Sequence, residues 1–177
     1  MAGTSPRLSG LSLTQSDVQR ENDAPEQLET SLMTREQANA LTAVVAKWVN
    51  ARADLRGLAV CGSWARGNPR PDSDLDLIVL SSEPGLVADL ATLGEIDFAA
   101  AGFRVTSVRH SIYGAAWSWH VQLYPSAELE LTIAALSWAV ADPIDDGTRA
   151  VVMDALRPVV DKERLFRDLL AKLCDSP

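Results

Sequence analysis

Asp74 and Asp76 stand two residues apart in the stretch CGSWARGNPRPDSDLDLIVL, residues 61–80, where the neighbouring side chains are apolar. In an extended strand alternate side chains share a face, so Asp74, Asp76 and Ile78 point one way and Leu75, Leu77 and Val79 the other. Two residues of strand advance the chain by about 6.5 Å, near enough for both carboxylates to lean onto one small cation. Without a cation they repel, and at about 5 Å with an effective dielectric near 20 the repulsion is roughly 3 kcal/mol. A divalent ion removes that penalty. Magnesium suits the position because it takes oxygen ligands from one or two carboxylates and completes its shell with phosphate and water.

A seat for the phosphate lies just upstream. Gly62 allows close backbone approach, and Ser63 opens a helical turn whose N–H groups and hydroxyl can face an anion. Arg66, one turn further on, can add a guanidinium to a triphosphate. Ten residues separate the Gly-Ser pair from Asp74, a hairpin that lets a metal-bound triphosphate touch both ends.

These residues need a scaffold, and its parts are legible. Thr34 caps a helix with Gln37 completing a capping box, and Leu41, Val44, Val45, Trp48 and Val49 recur at helical spacing. A buried strand is expected over 58–61 and a second over 74–80, with Gly67, Pro69 and Pro71 breaking the short helical turn between them. A short helix from Leu86 to about Leu93 follows, then three extended stretches near 103–110, 116–124 and 128–134 that should pair antiparallel. The segment DDGTRAVVMDALR reads as a helix entered at Asp146 or Thr148 and ended by Pro158. A C-terminal helix carries Leu165, Phe166, Leu169, Leu170 and Leu173 on one side. The expected fold class is α/β (α+β), a twisted mixed sheet flanked by helices. Residues 1–32 hold no aromatic side chain and no sustained apolar period, so the expected organisation is a flexible N-terminal tail followed by one domain over 33–177.

The spacing of GSWARGNPRPDSDLDL resembles the signature of the polymerase β-like nucleotidyltransferase superfamily, and in particular its antibiotic and minimal nucleotidyltransferase branch. The resemblance covers roughly residues 34–173 and implies the superfamily's fold. It also implies a third carboxylate on a neighbouring strand. In AELELTIAALSWA, Glu128, Glu130 and Thr132 share a face; Glu130 lies inside the strand and Glu128 at its entry, so Glu130 is taken as the third acid. A Glu at this position, and not an Asp, is a departure from the pattern. By the same resemblance Asp74, Asp76 and Glu130 would be catalytic and hold two magnesium ions, with Glu130 drawing the proton from an acceptor hydroxyl. Gly62, Ser63 and Arg66 would hold the nucleotide. The implied reaction moves a nucleoside monophosphate, AMP from ATP, onto a hydroxyl of an aminoglycoside-like small molecule or a protein and releases pyrophosphate. A nucleotide-binding regulatory or antitoxin-like module with little turnover is the alternative.

Composition narrows the classes further. The chain has 177 residues and a net charge of −8, which argues against a nucleic-acid surface, since phosphate binding needs clustered Lys and Arg. No apolar run reaches the roughly 18 residues of a membrane span, so a cytoplasmic protein is expected. Cys61 and Cys174 have neither metal-ligand spacing nor a disulfide framework, and His110 and His120 have no partner at metal spacing. Trp117 and Trp119 fall on one strand face with Val121 and Leu123 and read as core. The opposite face, Ser118, His120, Gln122 and Tyr124, is either the lining of an acceptor pocket or a wet surface. Trp64 and Trp138 read as packing residues and Arg70 as solvated.

Overall fold

The computed structural model describes residues 33–114 and 116–174; the expected tail over residues 1–32 lies outside the described residues. The first helix, α1 (Arg35–Ala51), starts at the expected capping box, with Thr34 accepting from the Gln37 amide and Gln37 returning a bond to the Thr34 amide. Its buried stripe, Leu41, Val45, Trp48 and Val49, lies on one face of a six-stranded sheet.

The strands are β1 (Leu55–Cys61), β2 (Leu75–Ser81), β3 (Arg104–Tyr113), β4 (Ala116–Tyr124), β5 (Ala127–Ala135) and β6 (Leu156–Asp161), in the spatial order β3-β4-β5-β2-β1-β6. The β3-β4-β5 run is antiparallel, as the turn residues between its strands imply. Strand β5 then pairs parallel with β2, and this ladder sets Asp76 directly beside Glu130. Neighbouring strands lie about 4.8 Å apart. The parallel pairing therefore joins two acids that are distant in the chain.

Alternation divides the sheet into two unlike faces. Leu77 and Val79 of β2, Leu129, Leu131 and Ile133 of β5, and Trp119, Val121 and Leu123 of β4 pack with α1 into the larger core cluster. Among the described residues the opposite face is covered in part, by α5 (Asp146–Asp154) and α6 (Leu165–Cys174), whose Val152, Phe166, Leu169 and Leu173 pack on Ala59, Ile78, Leu80 and Ala134. Phe166 lies so close over β1 that a Cβ on Gly57 would come within 2.6 Å of its ring.

Two stretches differ from the sequence expectation. Residues 86–93 do not form one helix: there are two single turns, α3 (Pro84–Val87) and α4 (Leu90–Leu93), and the Asp89 carboxylate that caps the second by accepting from the Ala91 amide interrupts the run. Helix α5 stops at Asp154, well before Pro158, and residues 156–161 add β6 to the edge of the sheet beside β1. Proline is tolerated there because an edge strand has one unpaired side, and the register shifts between Leu58 and Ala59, opposite Val160 and Pro158.

Candidate active site

The site forms where β1 ends, β2 begins and β5 passes between β2 and β4. Strand β1 runs directly into α2 (Gly62–Arg66), a short helix that closes on Gly67 in the left-handed conformation. Gly62 has φ +61°, and a Cβ built on it would lie 2.7 Å from Asp76 Oδ2. That contact decides the residue type. Only glycine adopts this φ readily and leaves room for the carboxylate. No side chain caps the N-terminus of α2, and the Gly62 amide itself donates to the Ala155 carbonyl.

Asp74 precedes β2 by one residue, Asp76 is its second residue, and Glu130 is Asp76's partner across the parallel ladder. One carboxylate oxygen from each of these three acids lies within 4.8 Å of the others. All three are partly buried. Burial raises Asp76 most, to about 7, with Asp74, Glu130 and Asp154 pushing the same way and Arg66 opposing them. Burial likewise raises Asp74, aided by Glu128 and Glu130. Like charges crowded in a half-dry cleft are what a divalent cation relieves, and three hard oxygen donors suit magnesium or a cation of its kind.

Glu130 is held from behind. The fully buried Ser118 donates its hydroxyl to Glu130 Oε1 at 2.7 Å and lies 3.0 Å from the Thr132 hydroxyl. His120 Nδ1 stands 4.0 Å from both Glu130 Oε2 and Glu128 Oε1. The even-numbered face of β4 is thus the wall behind Glu130 where Ser118 and His120 lie, and not simply wet surface; Tyr124 is exposed at its far end. Glu128, at the strand entry, faces Arg109 at 3.7 Å and stays out of the three-acid cluster.

Arg66 is ion-paired with Asp154 at the end of α5. Asp154 also lines a cleft of about 420 Å³ together with Gly62, Asp76, Glu130 and Val151. Sequence reasoning missed Asp154, because nothing local says that α5 ends over the Gly62 turn. Cys61, next to that turn, is buried, and burial with the nearby Asp76 pushes its thiol up to about 12, in keeping with a neutral packing residue. Trp64 and Trp119 join the core, Trp138 packs at its margin, and Trp117 is only half-buried. Arg70 is exposed, with its side chain ion-paired to Asp72.

Residues 40–109 match the family model of the nucleotidyltransferase domain. Over that span the chain is similar to nucleotidyltransferases. The matched span runs from α1 into β3 and takes in Gly62, Ser63, Asp74 and Asp76, while Glu130 lies beyond it and is joined to the others by the fold. Six mixed strands flanked by helices agree with the polymerase β-like nucleotidyltransferase fold. No curated protein sequence matches the chain. The family implies a nucleoside triphosphate substrate and nucleotidyl transfer, and the acidic cluster could hold the metal that such enzymes generally use. Among the described residues no helix is long and apolar enough to cross a membrane.

Proposed function

We propose that this chain is a nucleotidyltransferase of the antibiotic and minimal branch and moves AMP from ATP onto a hydroxyl of a small molecule or a protein, with Asp74, Asp76 and Glu130 holding magnesium, as two ions. The observation that carries the reading is the convergence of those three carboxylates beside the Gly62 turn. When bound, the metal supplies Lewis-acid stabilisation of the charge on the phosphates.

The chain's own residues do the rest. The first turn of α2 receives the phosphates at Ser63, with Gly62 allowing their close approach, and Arg66 exchanges its exposed partner Asp154 for a phosphate oxygen. The acceptor oxygen bonds to the α-phosphorus as the bond from that phosphorus to the β-bridging oxygen breaks, and pyrophosphate leaves with the electron pair. The hydroxyl proton passes to Glu130, whose orientation Ser118 fixes. Residues 33–177 are the catalytic unit in this reading, and the cytoplasm, which supplies nucleoside triphosphates, is its setting.

The test is incubation with magnesium and ATP labelled in the α-phosphate, with a panel of hydroxyl compounds and lysate proteins, for the wild type and Glu130→Gln. Label moving to an acceptor in the wild type and lost by at least about 100-fold in the variant supports the reading. Binding of ATP with no transfer by either would indicate instead a regulatory nucleotide-binding module.

A further inference from the structure

The described residues form a second cavity of about 500 Å³ that shares the Glu130 wall with the metal cleft and is lined by the N-terminal part of α5, at Asp145, Gly147 and Thr148, whereas the cleft is lined by its C-terminal part, at Ala150 and Asp154. Glu130, Thr132, Ile78 and Val151 line both, while Gly62, Asp76 and Asp154 line only the metal cleft. The phosphate seat at Gly62 and this cavity therefore adjoin along a wall that includes Glu130. An acceptor held in this cavity would thus have its hydroxyl against the same acid-bearing wall that borders the metal cleft.

The lining states what can enter. Ala134, Ala135 and Trp138 with Ile78 and Val151 make most of the wall apolar. Among the described residues no Lys or Arg lines it, and the two charged groups that do, Glu130 and Asp145, are both carboxylates. The Asp145 carboxylate is already engaged as the cap of α5, accepting from the Thr148 amide at 3.0 Å. A phosphorylated acceptor would bring an anion against acids with no compensating cation among the described residues, and a polyhydroxylated polycation would have to place more polar groups than the Tyr113, Thr132, Ser137 and Thr148 hydroxyls and the two carboxylates can meet, the remainder facing alkyl wall. The volume lies within the roughly 300–1,000 Å³ of small-molecule sites.

We propose that this cavity is the acceptor pocket and that it takes a single hydroxyl-bearing small molecule with a mostly apolar body and no negative charge. The inference rests on the transfer reading above and narrows it: a sugar-like, many-amine acceptor and a phosphorylated one are both disfavoured. The hydroxyl enters against Glu130 while the apolar body lies along Ala134, Ala135 and Trp138.

The experiment is saturation-transfer NMR on the full chain with magnesium and non-hydrolysable α,β-methylene ATP, using 2-phenylethanol, its phosphate ester and kanamycin as probes. The expected result is a signal from 2-phenylethanol alone, kept when the ATP analogue is added and weakened about tenfold by Ala135→Phe, which fills the pocket. Ser137→Trp, at an exposed rim position that disturbs no core packing, should weaken it in the same way and guards against misfolding of the first variant. Displacement of 2-phenylethanol by the ATP analogue would make the cavity a nucleoside subsite and overturn the proposal. So would the absence of any 2-phenylethanol signal, a signal indifferent to both substitutions, or stronger signals from the phosphate ester or kanamycin that these variants abolish. Failure of the ATP analogue to bind, read from its own signals, would instead sink the transfer reading and the acceptor assignment with it.

Discussion

Strand β5 presents two chemistries one residue apart: Leu129, Leu131 and Ile133 are wholly buried against the α1 side, whereas Glu130 and Thr132, pointing the other way, remain half-buried in a cleft. The first face is closed by a long capped helix and holds the domain together. Among the described residues the second is covered by α5 and α6 over part of its length, and the other end collects acids. The contrast teaches that stability and chemistry are segregated by the two-residue period of the strand. Removing a side chain from one face should cost folding, and from the other, turnover.

The largest expected break in that contrast is Asp76→Asn. Pyrophosphate release in the presence of ATP and magnesium should fall by at least about 1,000-fold, equivalent to roughly 4 kcal/mol of barrier, while the metal-free protein melts no lower than wild type because a buried repulsion is relieved. A variant that unfolds would show the acid to be structural and the two faces not to be separable. The converse substitution, Leu131→Ala, should cost about 2–5 kcal/mol in urea unfolding and leave the turnover of the folded fraction near wild type. A selective loss of turnover with intact stability would contradict the division.

Acidity provides a finer test. Asp76 is raised to about 7 in the folded chain and Asp74 is raised as well, both chiefly by burial, so between about pH 4 and 7 the folded form binds more protons than the unfolded one. Stability from this source is fully present below the unfolded value and is lost as pH rises through the folded one. The metal-free protein should therefore melt lower at pH 8 than at pH 5.5, by an amount on the order of 2 kcal/mol after allowance for partial solvent access, and Asp76→Asn should flatten the slope. Asp54, held low mainly by its hydrogen bond from Arg52, and Asp145, held low mainly by Thr148, act in the opposite sense, but only at more acid pH. Magnesium should reverse the trend, since its binding requires ionised carboxylates and weakens on acidification. A flat profile in the metal-free wild type would mean that the acids are not mutually crowded.

The smallest expected effect is that of removing residues 1–32. If 33–177 is the working unit, differential scanning calorimetry should show a change in melting temperature of less than about 2 °C and the same turnover. A loss of several degrees would show that this segment takes part in the fold.

How far the sequence alone carries depends on the range of the interaction. The capping box at Thr34, the strand at Asp76 and the glycine at 62 are local matters of periodicity and backbone freedom, and they read directly. Glu130 was readable because the resemblance calls for a third acid on a neighbouring strand, and its place inside the strand ranked it above Glu128 at the entry. The Asp76–Glu130 ladder, by contrast, is a parallel pairing across an intervening hairpin, and no local pattern specifies such a partner. Strand β6 was hidden because Pro158 reads as a stop, and only the open side of an edge strand makes it acceptable. Asp154 and the engagement of Ser118 with Glu130 depend on how elements settle against one another. For β4, alternation separated the two faces correctly without deciding whether the polar one met water or the site.

The bend at Gly62 has a consequence for how the enzyme can vary. A single methyl there would come within 2.7 Å of the Asp76 carboxylate, so the acid's resting place depends on the absence of a side chain at this one α-carbon. A change that looks minor on paper, glycine to alanine, would strain the turn and evict the acid at once, and drift at this position is closed by geometry however freely the surrounding hairpin changes.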